Sequence, residues 1–223
     1  MNLLHKTLFL SLSIFLITSF ASAETASSTN KIYKLPKEGV RMSPKDANYS
    51  FFPERLPFTP NKNIFLVSRK WQTACLYDEQ GLINKTFCVQ TSTGKKDFPT
   101  ELGLYNIQTK FGKDYKSTFY DTNGNKPKEK NTGAPMPFAM HIGRIIGLGP
   151  ENELWFDFSD GTAIHEKQTI NKNGSVSFVS HGCIALEKNV GKSLQSNMKY
   201  GDLVLVFNEN IPQSLNQMIS ISE

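Results

Sequence analysis

The feature that most constrains this chain is how often its apolar runs stop. From Asn63 onward they are short, and turn residues bound nearly all of them: "IFLVS", "WQTACLY", "INKTFCVQTS", "GLYNIQTK", "FAMHIG", "ELWFDFS", "TAIHE", "VSFVS" and "DLVLVF". Runs of this length, rich in β-branched and aromatic residues and separated by Gly, Asn and Asp, read as strands. One stretch, "VGKSLQSNM", has helical spacing instead, with Val190, Leu194 and Met198 on one face. "PQSLNQMISI" has the pattern of a terminal helix begun by Pro212. The expected fold is therefore mainly β with few helices, over residues 63–208, followed by a tail of helical pattern, 209–223.

The chain upstream has a different character. "MNLLHK" carries Lys6, "LFLSLSIFLITSF" is apolar, and "ASA" at Ala21–Ala23 has the small residues of a cleavage site. This is the order of a secretory signal peptide, so residues 1–23 are expected to be removed and the protein exported, to a periplasm or cell-wall space. The apolar run falls short of the roughly 20 residues that span a bilayer, and no later segment reaches that length. Residues 24–62 read as an irregular tether, punctuated by proline in "KLPKEG", "MSPKD" and "FFPERLPFTP", that packs on the domain through Phe51, Phe52 and Phe58. With the leader gone the chain keeps 24 basic and 20 acidic side chains. That modest, scattered excess suits an anionic wall polymer and gives no footprint for nucleic acid.

Export makes cysteine informative, because disulfides form outside the cytoplasm. Of the three, Cys75 and Cys88 flank "DEQGL", which reads as a hairpin turning at Gln80–Gly81. In that register Cys75 faces Thr86, Cys88 faces Thr73, and the two thiols sit diagonally, near the upper limit for a bridge. A buried reduced pair is the favoured reading on that geometry. Either way Cys183 is left over.

Cys183 follows Ser180, His181 and Gly182 at the end of "VSFVS". A thiol attacks carbonyls as thiolate, and an imidazole promotes that state by taking the proton. Two imidazoles are at hand, His181 and, upstream in "GTAIHE", His165. A strand, a turn at "NKNG" and an antiparallel return bring His165 beside Cys183. A buried inert thiol is the plainer alternative. Zinc fits poorly, because there is no second Cys of a C-x-x-C pair and no evident fourth ligand.

His165, fourteen residues, then "SHGC" resembles the signature of the L,D-transpeptidase catalytic domain (YkuD-type). Softer similarities flank it: "QTSTG" resembles the family's "STG" stretch, "FPTELGLYNI" its "TPTGTF" strand, "APMPFAMHIG" its "MPY" segment and "GTAIHE" its "AIHG" strand. The resemblance implies a compact, sandwich-like domain of mixed sheets with a helix after the catalytic Cys. It implies that Cys183 is the nucleophile, His165 the general base, and His181 a residue that shapes the pocket. Gly182 and Cys183 then offer backbone N–H groups to the oxyanion, with Ser180 in support. The substrates it implies are peptidoglycan stem peptides, with another stem or a wall-anchored protein as acceptor, and no cofactor or metal. Water as acceptor makes the same site an L,D-carboxypeptidase. A wall-binding module without catalysis is the third reading. Two positions depart from the family: Ala185 stands where Arg is usual, and Glu166 where Gly is frequent. Arg144, Lys167 and Glu166 are candidate substrate-binding residues, the first two to supply the charge; Glu166 is otherwise a carboxylate set either to raise the pKa of the base or to face solvent.

Overall fold

Among the described residues, alternation within the short runs becomes a ladder of nine strands. The computed structural model of the protein describes residues 49, 51–94, 98–118, 126, 133–148, 154–157, 161–166, 182–213 and 215, all within one unit, Leu35–Glu223. The strands are β1 (Ile64–Ser68), β2 (Thr73–Tyr77), β3 (Ile83–Ser92), β4 (Gly103–Lys110), β5 (Met140–Leu148), β6 (Leu154–Asp157), β7 (Ala163–Glu166), β8 (Ile184–Leu186) and β9 (Leu203–Phe207); helix α1 (Val190–Asn197) precedes β9. They form one sheet in the order β4-β9-β1-β2-β3-β8-β7-β5-β6, and β4 also pairs with β5. Hydrogen bonding therefore closes a ring through eight strands, with β6 attached to β5. Pairing is mixed: β1/β9 and β7/β8 are parallel and the rest antiparallel. A mainly β domain with mixed pairing and a helix after Cys183 is the architecture observed. Among the described residues no helix is long and apolar enough to cross a membrane.

Strands β1, β2 and β9 are buried on both faces, which is why they read as nearly unbroken apolar runs. Phe65, Val67, Leu76, Val204 and Val206 face one cluster, with Ile142, Ile164, Ile184 and Leu194 of α1. Ile64, Leu66, Tyr77, Leu203 and Leu205 face a second, which Phe52 and Leu56 close from upstream and Leu215 from downstream. Phe51 and Phe58 pack against that second cluster, and the Tyr77 hydroxyl donates to the Pro53 carbonyl at 2.7 Å. The segment before β1 thus covers a sheet face that would otherwise lie bare. The leader and the start of the tether lie outside the described residues, as does most of the terminal helical pattern.

The hairpin register differs from the expected one. Its loop is Asp78 to Leu82, where Asp78 Oδ1 accepts the amides of Gln80 and Leu82 at 2.9 Å each. Tyr77 pairs with Ile83 and Leu76 with Asn84, but the next pair is Cys75 with Cys88. The register passes over Lys85, Thr86 and Phe87. Asn84 Oδ1 accepts the Thr86 amide at 3.2 Å and its hydroxyl at 2.7 Å, a local Asx turn that competes with the ladder. This bulge sets the cysteines directly opposite, Cα to Cα 4.1 Å, and they form a disulfide. The diagonal, reduced pair expected from an unbroken hairpin is corrected.

Candidate active site

Strands β5, β7 and β8 lie side by side, and their odd-numbered residues share a face. Met140 pairs with Ile164 and His141 with Ala163; Ile164 pairs with Ile184 and His165 with Ala185. Even residues such as Met140, Ile164 and Ile184 go to the core. Alternation then sends His141, Ala163, His165 and Ala185 the other way, and Cys183, just ahead of β8, packs on that side against Met136, Ala139 and Ala163. β7 and β8 run parallel; "VSFVS", the strand expected to return antiparallel to "TAIHE", lies outside the described residues. In the parallel register His165 sits opposite Ala185, one diagonal step from Cys183, about 8 Å between Cα atoms by strand spacing.

Cys183 keeps its thiol, half-buried, while the other two cysteines are bridged. Gly182 before it has φ 98°, in the region that costs a side chain but not glycine. His165 Nδ1 lies 2.8 Å from the Glu166 carbonyl oxygen. A carbonyl can only accept, so Nδ1 carries the proton and donates, and Nε2 holds the lone pair.

Glu166 points away from this face, being the next residue along the strand. Its side chain is 5% exposed, and Oε1 accepts the Lys192 amide at 2.9 Å, in the first turn of α1. That helix begins at Asn189, which makes no side-chain cap, so the carboxylate of another element takes one of its open N–H groups. Neither a solvent-facing nor a substrate-facing carboxylate is found. Gly191 makes room for it, because a Cβ there would lie 2.4 Å from Glu166 Cγ. Alanine in a helix ordinarily gains about 1 kcal/mol over glycine. Here Gly191→Ala is expected to lose about 1–3 kcal/mol through overpacking and a displaced cap, read as a lower melting temperature. Adding Glu166→Ala should relieve the clash; a Gly191→Ala protein that melts higher than wild type contradicts the contact.

Arg144 pairs with Tyr105 on β4 and Asp157 on β6. It shares the parity of Met140 and Ile142, and its Nε lies 3.2 Å from where a Gly103 Cβ would be. The structure does not bring it to the Cys183 face. Ala185 is 4% exposed, held between Ser92 on β3 and His165. Ser180, His181 and Lys167 lie outside the described residues.

Two further residues line the face and escaped the sequence reading. His141 Nε2 lies 3.1 Å from the Tyr115 hydroxyl, and burial lowers the His141 pKa. Burial raises the Tyr115 phenol, the charge of Cys183 adds to the rise, and a hydrogen bond with Thr118 opposes it. His141 was visible as a polar residue between two core positions in "AMHIG". Tyr115 belongs to a polar insertion whose pattern carries no such mark.

Residues 62–206 match the family model described as YkuD, L,D-transpeptidase catalytic domain, a span that includes His165, Gly182 and Cys183. The comparison with curated proteins returns no match. Among solved structures the chain is similar to an L,D-transpeptidase from Stackebrandtia nassauensis, with 17% identity over 74% of this chain and 62% of that one and a TM-score of 0.47. It is similar to one from Mycobacterium tuberculosis, with 17% identity over 66% and 58% and a TM-score of 0.46. A third, from Enterococcus faecium, has 22% identity over 66% and 50% and a TM-score of 0.47. The chain thus covers between 50% and 62% of the length of these structures.

Proposed function

The chain belongs to the L,D-transpeptidase catalytic domain family, and on that premise we propose that it is an exported cysteine acyltransferase acting on peptidoglycan stem peptides. The observation that carries the reading is a shared face: Ala163 and His165 of β7 and Ala185 of β8 align in register beside a Cys183 that keeps its thiol. In this reading His165 Nε2 takes the thiol proton. The Cys183 thiolate then attacks the carbonyl at the L-centre of the third stem residue. The tetrahedral oxygen is met by the N–H groups of Gly182 and Cys183, donors that acyl transfer requires. Collapse expels D-Ala, which leaves with the proton held by His165, and a thioacyl-enzyme remains. An amine from a second stem, or from a wall-anchored protein, resolves it into an L,D-linkage. His181 shapes the pocket and Ser180 supports the turn.

Hydrolysis is a second reading, favoured by Ala185. That position is buried beside His165 and holds no cation to orient a stem. Acyl-enzymes partition according to how well the acceptor is held, so water gains where the amine is held loosely. The test is incubation of the mature protein with tetrapeptide muropeptides and mass analysis of the products. Cross-linked dimers support transpeptidation and tripeptides support trimming. Unchanged muropeptides with retention on sacculi would overturn both in favour of a binding module.

A further inference from the structure

The reading above uses Cys183 and His165 and leaves Tyr115 and His141 idle on the same face. Their arrangement is tightly built. Phe111 stacks on Tyr115, centroids 3.9 Å apart at 19°, and packs on His141 at 4.8 Å. Tyr115 meets His141 edge-on at 5.6 Å and 76°, with its hydroxyl 3.1 Å from Nε2. The backbone of this segment is pinned as well: the Met136 amide donates to the Tyr115 carbonyl at 2.9 Å and the Ser117 amide to the Ala134 carbonyl at 2.8 Å. Tyr115 and Cys183 both pack against the cluster formed by Met136, Ala139 and Ala163.

A phenol has one proton and an oxygen that accepts. In the tautomer that carries its proton on Nε2, His141 donates to the phenol oxygen, which also shares a hydrogen bond with Thr118; with both of these donating, the Tyr115 proton is available to another partner. Among the described residues, the titratable side chains that the register of β5 and β7 and the packing of the 111–117 segment place on this face are His141, His165 and Tyr115. Of these, Tyr115 is the one that remains a neutral donor when Cys183 is ionised, since a negative neighbour holds a phenol protonated.

The geometry points to Tyr115 as a further residue of this site, its phenol donating a hydrogen bond to the Cys183 thiolate, with His141 as the positioning residue that holds the ring for that contact. No proton changes owner in this role. The inference rests on Cys183 being the nucleophile, and its test needs no peptidoglycan, so a failed function assay and a failed inference look different.

The probe is iodoacetamide. With Cys75 and Cys88 in a disulfide, it alkylates Cys183, and mass spectrometry follows the rate from pH 5 to about 10, a range that brackets ordinary thiol ionisation. Tyr115→Phe should move the midpoint of the profile up by about one pH unit and slow alkylation below it about tenfold. His141→Leu should do the same, while His141→Gln, whose amide can still donate to the phenol, should stay near wild type. A wild-type profile for Tyr115→Phe overturns the inference, and matching profiles for the Gln and Leu variants overturn the role of His141. If Tyr115→Phe does not fold, the reciprocal titration serves. In tyrosine labelled with ¹³C at Cζ, the Tyr115 resonance should titrate at lower pH in Cys183→Ser than in wild type, because coupling between two groups is mutual. An unchanged Tyr115 titration in Cys183→Ser overturns it equally.

Discussion

Cys183→Ala is expected to form no product from tetrapeptide stems, neither dimer nor tripeptide, while the protein stays folded. The thiolate is the group that makes the acyl bond in the proposed mechanism, and among the described residues no other side chain on the face is a thiol or hydroxyl except the Tyr115 phenol. His165 and His141 are bases, and burial, which does not depend on Cys183, raises the pKa of the Tyr115 phenol. The structural cost is small. The residue is half-buried and packs at the edge of a small cluster, so the loss of its sulfur should fall within about 1 kcal/mol. Two measurements separate chemistry from folding: product masses from muropeptides and the melting temperature. A carbapenem, which by the family resemblance acylates such a thiol, should add one acyl mass to wild type and none to the variant. Turnover that survives in Cys183→Ala would falsify the assignment of the nucleophile.

His165→Ala is expected to slow thioacylation by about 10²–10⁴-fold, the usual worth of a positioned general base. The loss should appear in kcat and in kcat/KM together, with substrate affinity nearly unchanged, because a base acts in the transition state. The tautomer supports the direction. Nδ1 is committed to the Glu166 carbonyl, which leaves Nε2 to accept. The parallel register sets this imidazole on the Cys183 face one step along the neighbouring strand. The check is single-turnover acylation by a carbapenem or a donor peptide, run on His165→Ala and His181→Ala side by side. A mild effect at His165 with abolition at His181 means that the two imidazoles exchange roles.

Much of the fold was legible because burial on one or both faces writes a pattern that needs no knowledge of partners. "GLYNIQTK" is β4 and "IFLVS" is β1 to within a residue, and the spacing of Leu194 and Met198 marked the core side of α1. Strand β8, "IAL", escaped, since a run of three after a turn carries too little periodicity. The candidate site was legible too, as a His, a fixed gap and a Cys behind a Gly. His165, Gly182 and Cys183 are residue types that acyl transfer requires, and their proximity along the chain limits how far apart a compact domain can hold them.

By itself, then, the amino-acid order determined a mainly β domain, the helix after Cys183, an unbridged thiol and its candidate base. These follow from local patterning and residue chemistry, which act over a few residues. The tertiary structure decided the rest. Whether β7 and β8 run parallel or antiparallel depends on the path between them, and a single strand reads alike in either direction. The Cys75–Cys88 bridge depended on a bulge that Asn84 and Thr86 create by hydrogen bonding to each other instead of to β2. Glu166 became a cap for α1 because its strand happened to end where that helix needed an acceptor, with Gly191 leaving the space. Tyr115 met His141 across an insertion, twenty-six residues apart in sequence. Contacts of this kind are made between elements, and only the packing of those elements selects which ones form.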